Sequence, residues 1–262
     1  MRPLQMIAQW SFLSRFWPTH RKETSVDMLC NICGASGQFA DPTNGANLRE
    51  SLICPGCGST SRDRKLIYVL GLALGLKPPL RDWPQSRNFR VFETAGYRGH
   101  PAFLENKFDY YNTKYDPEKI EAGADSRLYA DVQKLAYPAD FFDCALSSDV
   151  FEHLRLDDRG FQELFRVLKP GGIFVLQAPY GHNAKTHILV QPDGDTDIFL
   201  EPPQYHAEQT LVYRIYGSDL LGRLRDYGFA VCRLQMAIPK YGISAQDTFL
   251  LRKGSYVQLI SA

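Results

Sequence analysis

Residues 141–180 read FFDCALSSDVFEHLRLDDRGFQELFRVLKPGGIFVLQAPY, and the order of apolar runs within them decides the fold. Phe142, Cys144, Ala145 and Leu146 make a short apolar run of the kind a strand covered on both faces requires. Ser147, Ser148 and Asp149 follow, small and polar, where that strand would leave its sheet. Phe161, Leu164, Phe165 and Leu168 fall at i, i+3, i+4 and i+7 and so share one helix face. Pro170, Gly171 and Gly172 predict a helix stop and a sharp turn. Residues 173–176 are again continuously apolar, a second buried strand. Two such strands joined by a crossover helix form a right-handed βαβ unit of a parallel sheet. Open sheets of this kind bind ligands beyond the carboxyl ends of their strands, which places residues 147–153 and 177–180 at the rim of a site.

The segments FDCALSSDVFEHL and RVLKPGGIFVLQAP resemble the fourth-to-fifth-strand region of class I S-adenosylmethionine-dependent methyltransferases, of the methyltransferase type 11 kind. The resemblance extends over roughly residues 60–252. It implies an α/β fold, a Rossmann-like doubly wound sheet of seven mostly parallel strands, and methyl transfer from S-adenosylmethionine. The cofactor's methyl would then lie near the ends of the first and fourth strands, where Asp149 or His153 would orient or deprotonate an acceptor hydroxyl or amine. The competing reading has Asp149 capping the next helix and His153 packing against the adenine or the sheet. Methyl transfer asks little covalent help, because the sulfonium is already a good leaving group and in-line positioning does most of the work.

Three parts are expected: an N-terminal segment (1–26), a zinc ribbon (27–60) and the methyltransferase domain (61–262). With 30 basic and 29 acidic residues among 262, and a net charge of +1, no bulk attraction to nucleic acid follows. No apolar run reaches membrane-spanning length. The segment 1–26 is basic and aromatic but lacks a continuous apolar core and a small-residue cleavage site, so it reads poorly as a signal peptide, and a cytoplasmic location is expected. Its Leu4, Ile7, Trp10, Leu13 and Trp17 would stripe one side of a short docking helix.

Four of six cysteines stand as Cys30-Asn-Ile-Cys33-Gly34 and Cys54-Pro-Gly-Cys57-Gly58, a C-x2-C-x20-C-x2-C pattern. Each pair with its trailing glycine matches a zinc knuckle, and two knuckles supply four thiolates in a tetrahedron. Disulfides are the alternative, disfavoured by the missing signal peptide and by Cys144 and Cys232 lying in apolar strands. The segment holds little apolar material, so Zn2+ is expected to supply most of its folding free energy, on the order of 10 kcal/mol. CPGCGSTSRDRKLIYVL resembles a ribbon lead-in found before some bacterial methyltransferase domains. Ser61 or Asp63 would cap the helix that follows, Leu66, Val69, Leu70 and Ala73 would pack it on the sheet, and Arg62 and Arg64 read as surface or interdomain pairs.

The first strand is expected at residues 88–95, running into Gly96-Tyr97-Arg98-Gly99-His100 and a short helix at 101–107. By resemblance this is the nucleotide loop: Glu93 takes the place of its acid, and Gly96 and Gly99 those of its glycines, although the full E-x-G-x-G-x-G is absent. The second strand (108–112) leads to Asp116, the nearest candidate for a ribose carboxylate, or equally a turn residue before Pro117. The third (127–130) leads to Asp131, which the resemblance sets against the adenine amino group. Ser148 completes the cofactor set. The stretch 181–217 is a Pro-rich insertion at the strand ends, read as a lid or acceptor pocket with Tyr180, Tyr205 and His206 as contacts. Its histidines with Asp193 or Asp195 show no fixed ligand spacing, which argues against a second metal site built from them. A helix at 220–227, then strands at 229–238 and 248–252, complete the sheet. The acceptor expected is a small molecule or saccharide rather than nucleic acid. A binding or scaffold protein without turnover remains the alternative class, and a nucleic-acid modifier reading through its ribbon a third.

Overall fold

The computed structural model describes residues 27–181, 183–206 and 210–254; the N-terminal segment with its apolar stripe lies outside the described residues. Six strands form the central sheet: β1 (Ser86–Thr94), β2 (Phe108–Thr113), β3 (Phe142–Ser148), β4 (Leu168–Gln177), β5 (Phe229–Leu234) and β6 (Thr248–Lys253). Their order is β5-β6-β4-β3-β1-β2. β1, β2, β3 and β4 are mutually parallel, and β6 lies antiparallel between β4 and β5. The chain crosses from one half of the sheet to the other between β1 and β3, which pair from Val91↔Cys144 to Thr94↔Ser147.

The expected third strand is not formed. Residues 127–130 contribute a single bridge, Lys114↔Tyr129. Asp125 begins a turn that takes the Arg127 amide on its side chain and the Leu128 and Tyr129 amides on its carbonyl, so those donors are unavailable to a ladder. The sheet therefore has six strands among the described residues, not seven. The helix before β4 also ends earlier than its periodicity predicts. It spans Asp157–Val167, Leu168 is already extended, and Pro170-Gly171-Gly172 forms a bulge inside β4 rather than a turn before it. The pairing jumps there from Phe142↔Leu168 to Cys144↔Ile173, with Gly171 at φ +76°.

The helices are α1 (Ser61–Leu74), α2 (Pro101–Lys107), α3 (Pro117–Glu121), α4 (Asp157–Val167) and α5 (Leu220–Asp226). Strand alternation divides the core. Phe92, Ala145 and Phe174 face α4 and α5, packing on Phe161, Leu164, Leu220 and Leu224. Val91, Cys144, Leu146 and Val175 face α1, packing on Leu66, Ile67, Val69 and Leu70, and the same cluster continues into Cys30, Ile32 and Phe39 of the cysteine-rich segment. That segment thus takes its apolar cover from α1 and does not stand apart.

Thr60, not Ser61, caps α1: its hydroxyl accepts from the Asp63 amide and the Asp63 carboxylate accepts from the Thr60 amide at 2.8 Å. The first turn, Ser61 to Lys65, is polar and wholly buried. Arg64, 0% exposed, donates to the carbonyls of Tyr241 (2.7 Å), Ser59 (2.6 Å), Leu52 (2.6 Å) and Gly242 (2.9 Å). Lys65 Nζ donates to the Met236 carbonyl at 2.6 Å. Arg62 and Arg64 are interior clamps, contrary to any surface reading. Arg64→Ala should leave several carbonyls without donors and lower the unfolding free energy by about 3 kcal/mol or more, read as a fall in the urea midpoint at unchanged slope.

Candidate functional site

The ends of β1 and β3 carry backbone strain that neighbouring side chains hold in place. Ala95, Arg98 and Asp149 all adopt positive φ, at 55°, 68° and 52°. Glu93, 1% exposed, accepts from His100 Nε2 at 2.8 Å and from the Tyr110 hydroxyl. Burial works against a charge on His100, but the Glu93 carboxylate prevails and raises the imidazole above its ordinary value. The two loop glycines have reasons within the protein. A Cβ on Gly96 would lie 2.6 Å from the Glu93 carboxyl carbon, and one on Gly99 would lie 2.6 Å from the Cys57 carbonyl oxygen. The loop is wedged between its own acid and the second cysteine knuckle, and Asn112 Nδ2 ties it down through the Gly96 carbonyl at 2.8 Å.

Asp149 does not cap a helix. Arg49 Nη2 donates to both of its oxygens, at 2.7 and 2.8 Å, and Arg62 Nη1 donates to one of them. Arg62 also pairs with Glu50 at 3.0 Å and donates to the Tyr97 hydroxyl at 3.2 Å. Burial alone would raise the Asp149 carboxyl; the two guanidinium groups outweigh it and hold the group below its ordinary value. This cluster spans the mouth between β1 and β3. Neither arginine was placed at the site from sequence, although the Ser61-Arg62-Asp63-Arg64 run was the signal within reach.

Three residues past Asp149, Glu152 has no exposure and, among the described residues, no hydrogen-bond partner for either carboxylate oxygen. Burial, with the Asp149 charge behind it, pushes its carboxyl up to about 8. His153 donates from Nδ1 to the Leu211 carbonyl at 2.8 Å, since a carbonyl only accepts, and its Nε2 therefore carries the lone pair. Burial lowers the His153 imidazole, and His206 nearby adds to that. His206 Nδ1 stands 3.2 Å from His153 Nε2.

The remaining sequence candidates are dispersed. Asp116 caps α3, accepting from the Lys119 amide at 3.2 Å. Asp131 closes a local turn by accepting from the Gln133 amide at 2.8 Å and its side-chain amide at 3.2 Å. Ser148 donates to Gln177 Oε1 at 2.9 Å. Tyr180 packs edge-on to Phe249 with centroids 5.2 Å apart, while Tyr205 is 54% exposed. The insertion contains a hairpin, Val190–Asp193 with Thr196–Phe199, and two further short pairings that bring His206 and Leu211 over His153. A groove of about 640 Å³ runs along the free edge of β2 past Asp109, Lys114, Asp125 and Arg127, not between β1 and β3.

The four cysteine sulfurs converge within 4.8 Å of one another, with Cys30 and Cys57 at 3.7 Å and Cys33 and Cys54 at 3.6 Å. A tetrahedral ion with metal–sulfur bonds of about 2.3 Å sets its sulfurs about 3.8 Å apart, so this donor set fits zinc.

A family model described as a methyltransferase domain matches residues 98–176, from within the glycine loop to the end of β4. No curated protein matches the chain. Among solved structures the chain is similar to an S-adenosylmethionine-dependent methyltransferase from Mesorhizobium loti, with 19% identity, 66% of this chain and 95% of that one covered, and a TM-score of 0.44. It is also similar to the Burkholderia thailandensis 1,6-didemethyltoxoflavin-N1-methyltransferase, solved with 1,6-didemethyltoxoflavin and S-adenosylhomocysteine, with 20% identity, 73% and 78% covered, and a TM-score of 0.42. Among the described residues no helix is long and apolar enough to cross a membrane.

The doubly paired Asp149 gives a pH signature. Its folded value is depressed, so its contribution is present in full above the unfolded value of about 4 and is lost as pH falls through the folded one. At pH 7, Asp149→Asn should unfold about 2 to 4 kcal/mol more easily than wild type, with Arg49 left without a carboxylate and Arg62 keeping only that of Glu50. The gap should close as pH drops from about 5 toward 2, measured by denaturant titration at each pH.

Proposed function

We propose that the chain is an S-adenosylmethionine-dependent methyltransferase with a structural zinc ribbon. The observation that carries this reading is the switch point between β1 and β3, met by a methyltransferase-domain match that runs through β2, β3 and β4. The cofactor would lie across the ends of those strands. Asp131 accepts from the adenine amino group, and Gly96, Gly99 and Ser148 line the methionyl side, with Glu93 holding the loop through His100. Asp116 is committed to capping α3, and we assign it no ribose contact. Asp149, bound by two guanidinium groups, sets position rather than moving a proton; Arg49 and Arg62 present the charge that a methionyl carboxylate needs. His153, with its lone pair on Nε2 beneath the insertion, stands at the acceptor end with Tyr180, Tyr205 and His206. The acceptor is a small molecule or saccharide. The four thiolates hold Zn2+ as a closed structural site, its coordination filled by the protein.

One observation favours a second reading, a methyltransferase-like binding or scaffold protein without turnover. The mouth is already satisfied from within, by the Arg49–Asp149–Arg62 cluster and by the packing around Gly96 and Gly99.

Calorimetry separates the two. The first reading expects S-adenosylmethionine and S-adenosylhomocysteine to bind, and Asp131→Ala to weaken both by about 10- to 100-fold. Absence of binding would leave the scaffold reading; unchanged binding in the variant would remove Asp131 from the adenine site. Methyl release to an acceptor then distinguishes an enzyme from a ligand-retaining relic. Metal analysis should find one zinc per chain at the ribbon, lost with an earlier unfolding transition in Cys54→Ser; cysteines cross-linked in pairs would refute the ribbon.

A further inference from the structure

A carboxylate buried to 0% exposure with both oxygens unpartnered among the described residues is a costly arrangement, because it forgoes its water without replacement. Glu152 is such a group. Around it the chain places two imidazole nitrogens: Glu152 Oε1 lies 3.6 Å from His153 Nε2 and 4.0 Å from His206 Nδ1, and those nitrogens are 3.2 Å apart. An ion with ligand bonds of about 2.1 Å spaces its donors about 3.0 Å apart at right angles and about 3.4 Å apart in a tetrahedron. Two edges of the observed triangle lie about 0.2 Å from one or other value, and the third, to the half-exposed His206, is about 0.6 Å longer than the tetrahedral one.

The supporting contacts suit an ion as well. The Leu211 carbonyl fixes His153 with Nδ1 protonated, so the lone pair of Nε2 points into the triangle. A backbone oxygen orienting the far nitrogen of a ligand histidine is the usual outer contact of a metal site. Exposure rises across the set, from 0% at the Glu152 side chain to 12% at His153 and 51% at His206. The site is closed on the carboxylate side and open on the other.

We propose that Glu152, His153 and His206 bind a divalent first-row transition cation, distinct from the zinc of the ribbon, with coordination positions left open toward the insertion. One carboxylate and two imidazoles form a mixed oxygen–nitrogen set that suits Mn2+, Fe2+, Co2+ or Zn2+ better than Mg2+. The ribbon offers only sulfur and is a closed tetrahedron, so the two sites differ in ligand chemistry and in access. If the methyl-transfer reading holds, the open positions take an acceptor bearing two neighbouring oxygens, such as vicinal hydroxyls or a hydroxy acid. That clause rests on the methyl-transfer reading; the cation does not.

The test needs neither cofactor nor acceptor, so its failure is distinguishable from failure of the methyltransferase proposal. Full-length protein with ribbon zinc in place is titrated with Mn2+, followed by the loss of the free-ion paramagnetic resonance signal, and separately with Zn2+ by calorimetry. One further ion per chain is expected. His206→Ala, altering a half-exposed residue, and Glu152→Gln, nearly isosteric, should each weaken that binding at least tenfold while ribbon zinc stays at one per chain. Wild-type protein taking up neither ion, or uptake unchanged in the variants, would overturn the proposal. Should Glu152→Gln not fold, His206→Ala alone decides.

Discussion

The structure depends on a turn of helix whose charges are buried. Ser61 to Lys65 open α1 between the cysteine ribbon and the sheet, and three of these five residues are cations. Cations at a helix N-terminus oppose the helix dipole, and burial costs them their water, so within the turn only Asp63 favours this placement. It persists because almost every donor has a fixed acceptor. Arg64 is met by carbonyls from the ribbon and from residues 241 and 242, Lys65 by Met236, and Arg62 by Asp149 and Glu50. The acceptors come from segments distant in sequence, so the turn fixes ribbon, sheet and C-terminal loop against each other at once.

The cysteine-rich segment thereby becomes a wall of the mouth between β1 and β3. Arg49 reaches from it to Asp149, and Cys57 sits against the loop at Gly99 closely enough to exclude a side chain there. Metal at the cysteines would therefore do more than fold a small segment: it would set the position of a guanidinium and of a backbone oxygen at the mouth between β1 and β3. The expectation that zinc supplies most of the folding free energy of this segment was drawn without its apolar contacts to α1. Ile32 and Phe39 belong to the same apolar cluster as Leu66, Leu70 and Val91, and hydrophobic burial shares the task.

How much of this was legible follows from which interactions were local. The βαβ unit of residues 141–180 could be read because its apolar periodicity and its crossover both lie within one short stretch. The CxxC pairs were legible for the same reason. The third strand was misread because 127–130 has strand composition while Asp125 takes its amides into a turn. The Pro-Gly-Gly was read as a turn because a bulge depends on the partner strand, which sequence does not display. The roles of Arg49 and Arg62 depend on contacts 100 and 87 residues away, and no spacing rule reaches that far. Gly96 and Gly99 were read as the glycines of a nucleotide loop, and the Cβ position of each is crowded by Glu93 or Cys57; a glycine records that something is close, not what.

Asp149 and Glu152 show how far environment separates chemically similar groups. Both are carboxylates on one short segment after β3, and both are largely removed from water. Asp149 has two guanidinium groups and stays ionised; Glu152 has none within hydrogen-bonding reach and is driven toward neutrality. The chain spends its fixed positive charge on the first and leaves the second to face two imidazoles. Repulsion from Asp149 adds to the strain on Glu152, and the two guanidinium groups that pair Asp149 offset only part of it. A site closed at one end by its own ion pairs and open at the other to an outside charge is polarised before any ligand arrives, and that asymmetry gives the mouth a direction.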